Sequence, residues 1–432
     1  MRITIYILIQ KLGLAYRCFN LMKFNRKINP HTKPKQNFIT KKRLKEDEID
    51  FDKLRSYRLD RVKKELEKNN LEACILFDPV NIRYALDTVN MSVYNMHNLT
   101  RYCFVPVNGP VILYEYFNCE KLSEHLILID EIRPSITWDY FSNGEQSSNQ
   151  LKKWINEISD LSNSYFKSKK IAIDVLNGPA VSALNNIGIE VVDAKLILEQ
   201  ARVIKSSEEL KCMKAAIEVA EIGVTKMRNE LKAGMTEDEL WSILHKTNIE
   251  HGGEWIECRI LSSGVRTNPW MQESSNKIIQ RGEIVSFDTD MVGPYGYCAD
   301  ISRTYVEGNK FNDNQKNLYL MAVEQINYNS RLIKPGMTFK EFTEKSWVLP
   351  EEYYGNRYSV MVHGIGLCDE WPAIRYPTDG GERSGIFEKN MTITVESYIG
   401  KVGGYEGVKL EQQYLVGQNN LELMSHHPLE DI

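Results

Sequence analysis

The chain has 432 residues, 42% of them hydrophobic and 26% charged, with a formal net charge of −4. That length suits two domains, and the slightly acidic balance excludes a general attraction to nucleic acid. Eight cysteines without a CxxC pair read as reduced core residues of a cytoplasmic protein rather than as a disulfide framework.

Residues 1–45 contain no Asp or Glu and many Lys and Arg, and the apolar run near the N-terminus is interrupted by Lys11 and Arg17. It is too short and too charged to span a membrane. No small-residue cleavage site follows it, so the segment suits an organelle transit peptide or a start misplaced upstream of Met22. Together with Pro30, Pro34 and the charge run that follows, residues 1–50 are expected to form a flexible basic arm. From Phe51, the apolar positions Leu54, Leu59, Val62 and Leu66 predict an amphipathic helix, and EACILFD predicts the first strand of an α/β domain over residues 51–202. Within that domain Asn90, Tyr94, Asn95, His97 and Asn98 form an aromatic and amide cluster.

Ser206 and Glu209 form a capping box that opens a helix whose apolar face is Leu210, Met213, Ile217, Ala220, Val224, Met227 and Leu231. This face is core. The helix runs into LKAGMTEDEL, and a second apolar-periodic segment runs into IKPGMTFKEF, with Thr236 and Thr338 each placed to cap the next helix. Residues 203–432 are therefore expected to be two duplicated α/β halves.

SFDTDMVGPYGYCADISRT, from Ser286 to Thr304, concentrates three acids in a segment that otherwise reads as buried strand. Residues two apart in a strand share a face, so Asp288 and Asp290 are expected side by side, with Gly293-Pro294-Tyr295-Gly296 returning Asp300 towards them. Three like charges cannot crowd a partly buried site unpaired, which points to a metal. Later segments supply partners: His363 in VMVHGIGL, Glu396 ending MTITVE and Glu411 in VKLEQQYLV, each within a strand-like run. These six residues make an oxygen-rich set with one nitrogen, suited to one or two divalent ions of iron, manganese, cobalt or zinc.

The order Asp, Asp, His, Glu, Glu, with GYCADISRT around Asp300, resembles the pita-bread metallopeptidase superfamily of methionine aminopeptidase, aminopeptidase P, prolidase and creatinase, from roughly Glu208 onwards. The resemblance implies a duplicated α+β metal-binding domain over residues 203–432, a smaller creatinase-like α/β domain before it, two metal ions and a homodimer. Two features depart from the peptidases. They carry a first aspartate eleven residues before the second, whereas Asp288 and Asp290 straddle that spacing; and where they commonly place a substrate-facing His, SSGVRTNPW has Asn268-Pro269-Trp270.

Both departures resemble the dimethylsulfoniopropionate lyases of the DddP type, which contain segments very like GGEWIECRILSSGVRTNPWMQE, SFDTDMVGPYGYCADISR and HGIGLCDEWP. This second resemblance covers most of the chain from about Leu54. It implies a metal-dependent carbon–sulfur lyase that takes a small zwitterion, with no nucleic-acid or membrane partner. It also implies Asp369 as the base, with Glu370 as its rival and with Cys368 and Trp371 partly desolvating it. Tyr94, Tyr358 and Trp371 are the candidate aromatic faces for a sulfonium cation; Tyr94 stands where close relatives resemble one another in having Trp. A metallopeptidase cleaving Xaa-Pro bonds is the alternative. A binding protein that had lost catalysis is expected to have lost ligands as well.

Overall fold

Between Arg55 and Ala201, short apolar runs alternate with amphipathic segments, and the chain folds as one unit of that range in a computed structural model that describes residues 41–379 and 384–432. Helix α1 (Phe51–Lys68) buries Leu54, Leu59, Val62 and Leu66, the face expected from their spacing. Six strands, β1 (Ala73–Leu76), β2 (Tyr102–Pro106), β3 (Ile112–Glu115), β4 (Glu131–Pro134), β5 (Lys170–Ile173) and β6 (Glu190–Asp193), form one mixed sheet in the order β4-β3-β2-β1-β5-β6. The polar cluster lies on and around the short helix α2 (Ser92–His97). Its buried member, Asn95, donates to Asn90 O at 2.6 Å and accepts from Tyr116 Oη at 2.7 Å and Thr100 Oγ1 at 2.9 Å, which gives it a loop-shaping role.

The second unit comprises residues 41–54 and Arg202–Ile432. Residues 41–50, expected as the end of a flexible arm, dock on it instead because their backbone finds partners there. Asp50 N donates to Glu208 Oε2 at 3.0 Å, and Lys211 Nζ and Tyr295 Oη reach the carbonyls of Glu48 and Leu44 at 2.7 Å each. The N-terminal 40 residues of the expected arm lie outside the described residues.

Duplication is written into the backbone of this unit. Helix α3 (Ser207–Glu230), opened by the Ser206–Glu209 capping box, is followed by α4 (Glu237–Glu250), capped by Thr236; α5 (Asp313–Leu332) is followed by α6 (Phe339–Lys345), capped by Thr338. Before each capping Thr a glycine with positive φ, Gly234 or Gly336, turns the chain. Gly234 N donates to Ile279 O while Ile279 N returns to Met235 O; Gly336 N donates to Phe387 O while Phe387 N returns to Met337 O. The two corners are the same device used twice.

The first half carries β7 (Trp255–Ile256), β8 (Leu261–Ser263), β9 (Ile284–Phe287), β10 (Met291–Val292), β11 (Cys298–Ala299) and β12 (Arg303–Val306), arranged as two small sheets, β11-β10-β7 and β12-β9-β8. The second half carries β13 (Val360–Ile365), β14 (Asp369–Arg375), β15 (Thr392–Gly400), β16 (Gly407–Val416) and β17 (Leu421–Leu423), in the order β14-β13-β15-β16-β17. None of the described helices is long and apolar enough to cross a membrane, and the seven described cysteines are all free thiols.

Candidate active site

Strand β9 delivers Asp288 and the β10–β11 hairpin delivers Asp300, and Asp290 lies on the link between β9 and β10, lining the same cavity as both. The strand ends at Phe287 and resumes at Met291, and Asp290 adopts a left-handed φ of 34°. Its Oδ2 accepts the Cys258 thiol at 2.8 Å, and both residues line the cavity that holds the other acids. Thr289, at the eleven-residue spacing from Asp300, pins the hairpin instead: Oγ1 donates to Ala299 O at 2.7 Å and accepts from Ile301 N at 2.9 Å. Burial and the neighbouring Asp288 raise the Asp290 pKa to about 8.

Three strands of the second half present the remaining ligand candidates. His363 on β13 faces Thr394 of β15, and Glu396 on β15 lies directly opposite Glu411 on β16. Opposed like charges destabilise a sheet unless a cation lies between them. Nε2 of His363 is 3.3 Å from Glu411 Oε1, 3.4 Å from Asp300 Oδ2 and 3.7 Å from Glu396 Oε1. Its other nitrogen, Nδ1, is 3.0 Å from Gly364 O. A proton donated there leaves the Nε2 lone pair facing the acids, as is common for metal-binding histidines whose other nitrogen is tied to a backbone carbonyl.

Asp288, Asp300 and Glu411 converge within 4.8 Å of one another, as do His363, Glu396 and Glu411; Asp290 joins neither triad. Asp288 Oδ1, Asp300 Oδ1, Glu396 Oε1 and Glu411 Oε1 are all buried without a hydrogen-bond donor. Four orphaned carboxylate oxygens beside one imidazole nitrogen fit a divalent ion and little else. Burial and the opposed Glu411 push Glu396 up to about 8. Burial also acts on Glu411, yet the adjacent Lys409 ammonium opposes it, and the carboxyl is held well below its usual range.

Lys409 is the site residue that the sequence reading missed. Fully buried, its Nζ lies 2.9 Å from Asp288 Oδ2, 3.0 Å from Glu396 Oε2 and 2.8 Å from Glu411 Oε2. Its signal was available: Lys409, Glu411 and Gln413 alternate along one face of β16, so a polar face was turned inward.

The DISRT segment works as a seam between the halves. Glu411 N donates to Ser302 O at 3.2 Å, Ser302 Oγ donates to Glu411 Oε2 at 2.9 Å, and Arg303 Nη1 donates to Glu411 O at 2.7 Å. Thr304 Oγ1 closes the row on Lys409 O at 2.8 Å. Asp300 is thus followed by residues that fix the strand carrying Glu411.

Asp288, Asp290, Asp300, His363, Glu396 and Glu411 line a cavity of about 380 Å³, together with Glu257, Met271, Tyr358 and Asp369. Asp369 has an accessible side chain, 65% exposed, with Oδ1 3.6 Å from His363 Nδ1. The surrounding walls and the charges of Glu411 and Asp288 raise its pKa against the opposing pull of His363. Glu370 is removed as a rival base: buried, it pairs with Lys205 Nζ at 2.6 Å and Arg202 Nε at 3.1 Å. The carboxylate of Glu396, helped by burial, pushes the Tyr358 phenol well above its ordinary pKa. Trp371 does not line the cavity; it packs edge-on against Phe339 with centroids 5.1 Å apart. Tyr94 belongs to the first unit and is not among the lining residues.

Residues 211–418 match the family model of metallopeptidase family M24. The chain is 36% identical over 391 residues to dimethylsulfoniopropionate lyase DddP of Roseovarius nubinhibens, covering 88% of this chain and 87% of that one. It is 29% identical over 235 residues to a Xaa-Pro dipeptidase of Pyrococcus furiosus, covering 53% of this chain and 65% of that protein. Among solved structures, a Xaa-Pro dipeptidase from Bacillus anthracis superimposes with a TM-score of 0.72 at 20% identity, over 87% of this chain and 98% of the other.

Proposed function

This chain belongs to the DddP dimethylsulfoniopropionate lyases, within metallopeptidase family M24, and on that premise we propose that its cavity splits dimethylsulfoniopropionate into dimethyl sulfide and acrylate. The observation that carries this reading is the division of labour among the acids. Asp288, Asp300, Glu396 and Glu411 each keep a buried oxygen without a hydrogen-bond donor, while Asp369, like Glu257, is an exposed acid on the wall of the same cavity, and of the two Asp369 is the one beside His363. We assign Asp288, Asp290, Asp300, His363, Glu396 and Glu411 to one or two divalent ions of iron, manganese, cobalt or zinc, with one oxygen of Asp290 also accepting the Cys258 thiol.

A divalent ion there supplies positive charge to the substrate carboxylate and so acidifies the adjoining C–H. Asp369 takes that proton. The released electron pair becomes the new C=C bond, the C–S bond breaks, and dimethyl sulfide departs as a neutral molecule with its bonding electrons. Tyr358 offers an aromatic wall to the sulfonium, which needs no carboxylate to neutralise it. Tyr358→Ala is expected to raise KM by about 2- to 30-fold, the worth of one cation–π contact of roughly 0.5–2 kcal/mol. Unchanged kinetics in the variant would remove Tyr358 from the site.

The ligand set also suits hydrolysis of Xaa-Pro bonds, the activity named for the Pyrococcus furiosus relative. Against it, the segment in which peptidases commonly carry a substrate-facing His has Asn268-Pro269-Trp270 here, and the Asn268 side chain is spent on Lys401 O at 2.8 Å and Gly404 O at 3.0 Å. The deciding experiment offers metal-loaded protein dimethylsulfoniopropionate and a Xaa-Pro dipeptide in parallel. Volatile sulfide without free proline is the expected result, and free proline alone refutes the lyase reading.

A further inference from the structure

Three carboxylates of the centre share one buried cation. Asp288, Glu396 and Glu411 give one oxygen to the Lys409 ammonium, at 2.9, 3.0 and 2.8 Å, and keep the other unpartnered towards the cavity. The ammonium has no access to solvent, and Ser302 Oγ at 2.8 Å is a further acceptor. Two aromatic rings complete its enclosure: Tyr358, with its centroid 5.2 Å from Nζ, and Trp270, at 5.7 Å. Trp270 is itself buried and comes from the Asn268-Pro269-Trp270 segment, so that segment acts on the centre through the lysine.

We propose that Lys409 is a positioning residue that competes with the metal for Asp288, Glu396 and Glu411, so that each presents a single oxygen to the ion. This rests on the metal-dependent reading above. A fixed cation sharing three ligands acts in two opposite directions. It removes donor oxygens and negative charge from the metal, which weakens binding; by withholding that electron density it leaves the bound ion a stronger electrophile. The centre gives up affinity and keeps its pull on the substrate.

The test is Lys409→Met, with Lys409→Arg as the charge-retaining control. Affinity for Mn(II) or Zn(II) is measured against a chromophoric chelator without substrate, and turnover is measured separately on metal-saturated protein. Lys409→Met is expected to bind metal about tenfold or more tighter while its kcat falls by about tenfold or more, within the range seen when groups around metal ligands are changed. Lys409→Arg is expected to stay near wild type in both. A residue with a merely structural role loses metal and turnover together, so weaker or unchanged affinity in Lys409→Met overturns the proposal. Should that variant fail to fold, Trp270→Leu decides: tighter metal binding supports the competition and unchanged affinity refutes it. If the wild type releases no dimethyl sulfide, the lyase reading fails while the affinity comparison still stands or falls by itself.

Discussion

Asp369→Asn is expected to keep its metal and its substrate and to lose dimethyl sulfide release by about 10²–10⁴-fold, the usual worth of a positioned general base. The amide is nearly isosteric and cannot take the proton. Metal content is expected to persist because the orphaned oxygens beside His363 come from Asp288, Asp300, Glu396 and Glu411, none of which this substitution touches. Elemental analysis, substrate binding by calorimetry and headspace sulfide measurement separate the three quantities. Near-wild-type turnover removes Asp369 from the reaction. Loss of metal instead makes it a ligand, an outcome its convergence with Asp300 and His363 allows the experiment to detect.

Asp300→Ala is expected to lose both metal and activity. Asp300 belongs to two of the three groups of converging ligand atoms and is the acid that faces His363 from the first half, at 3.4 Å. Its removal leaves Glu396 and Glu411 opposed with fewer donors around any ion between them. Losing a metal that stabilises developing charge forfeits several kcal/mol, on the order of 10³-fold or more in rate. Elemental analysis of the purified variant decides the first half of this expectation. Wild-type protein that stays active after exhaustive chelation contradicts the second.

The features legible in the sequence were those in which local chemistry agrees with the fold. Capping residues such as Ser206 and Thr236 act within three residues of themselves, so their motifs survive without tertiary knowledge. The acids on β15 and β16 were legible because a carboxylate inside an apolar alternation contradicts its surroundings. The left-handed backbone of Asp290 was not, because only the β9–β10 break imposes it. Trp371 shares a strand face with Asp369 by alternation, but it lies roughly 6–7 Å further along β14, where Phe339 rather than the cavity receives it. Lys409 escaped because an exposed lysine and a caged one look alike until the neighbouring strands are placed.

The proposed ligands are shared between the two copies of the repeat: Asp288, Asp290 and Asp300 come from the first, and His363, Glu396 and Glu411 from the second. An ion held among them is therefore a reversible cross-link across the internal joint stitched by Ser302, Arg303 and Glu411. Linkage then ties the chemistry to the conformational stability of that joint, since an ion at a hundred times its Kd adds about 2.7 kcal/mol to any state that retains the site. The apolar core around Phe339, Phe342 and Phe387 draws no support from the ion, so chelation loosens the region between the halves before it loosens that core. In a cell starved of metal, such a protein becomes inactive and locally open together, well before it unfolds.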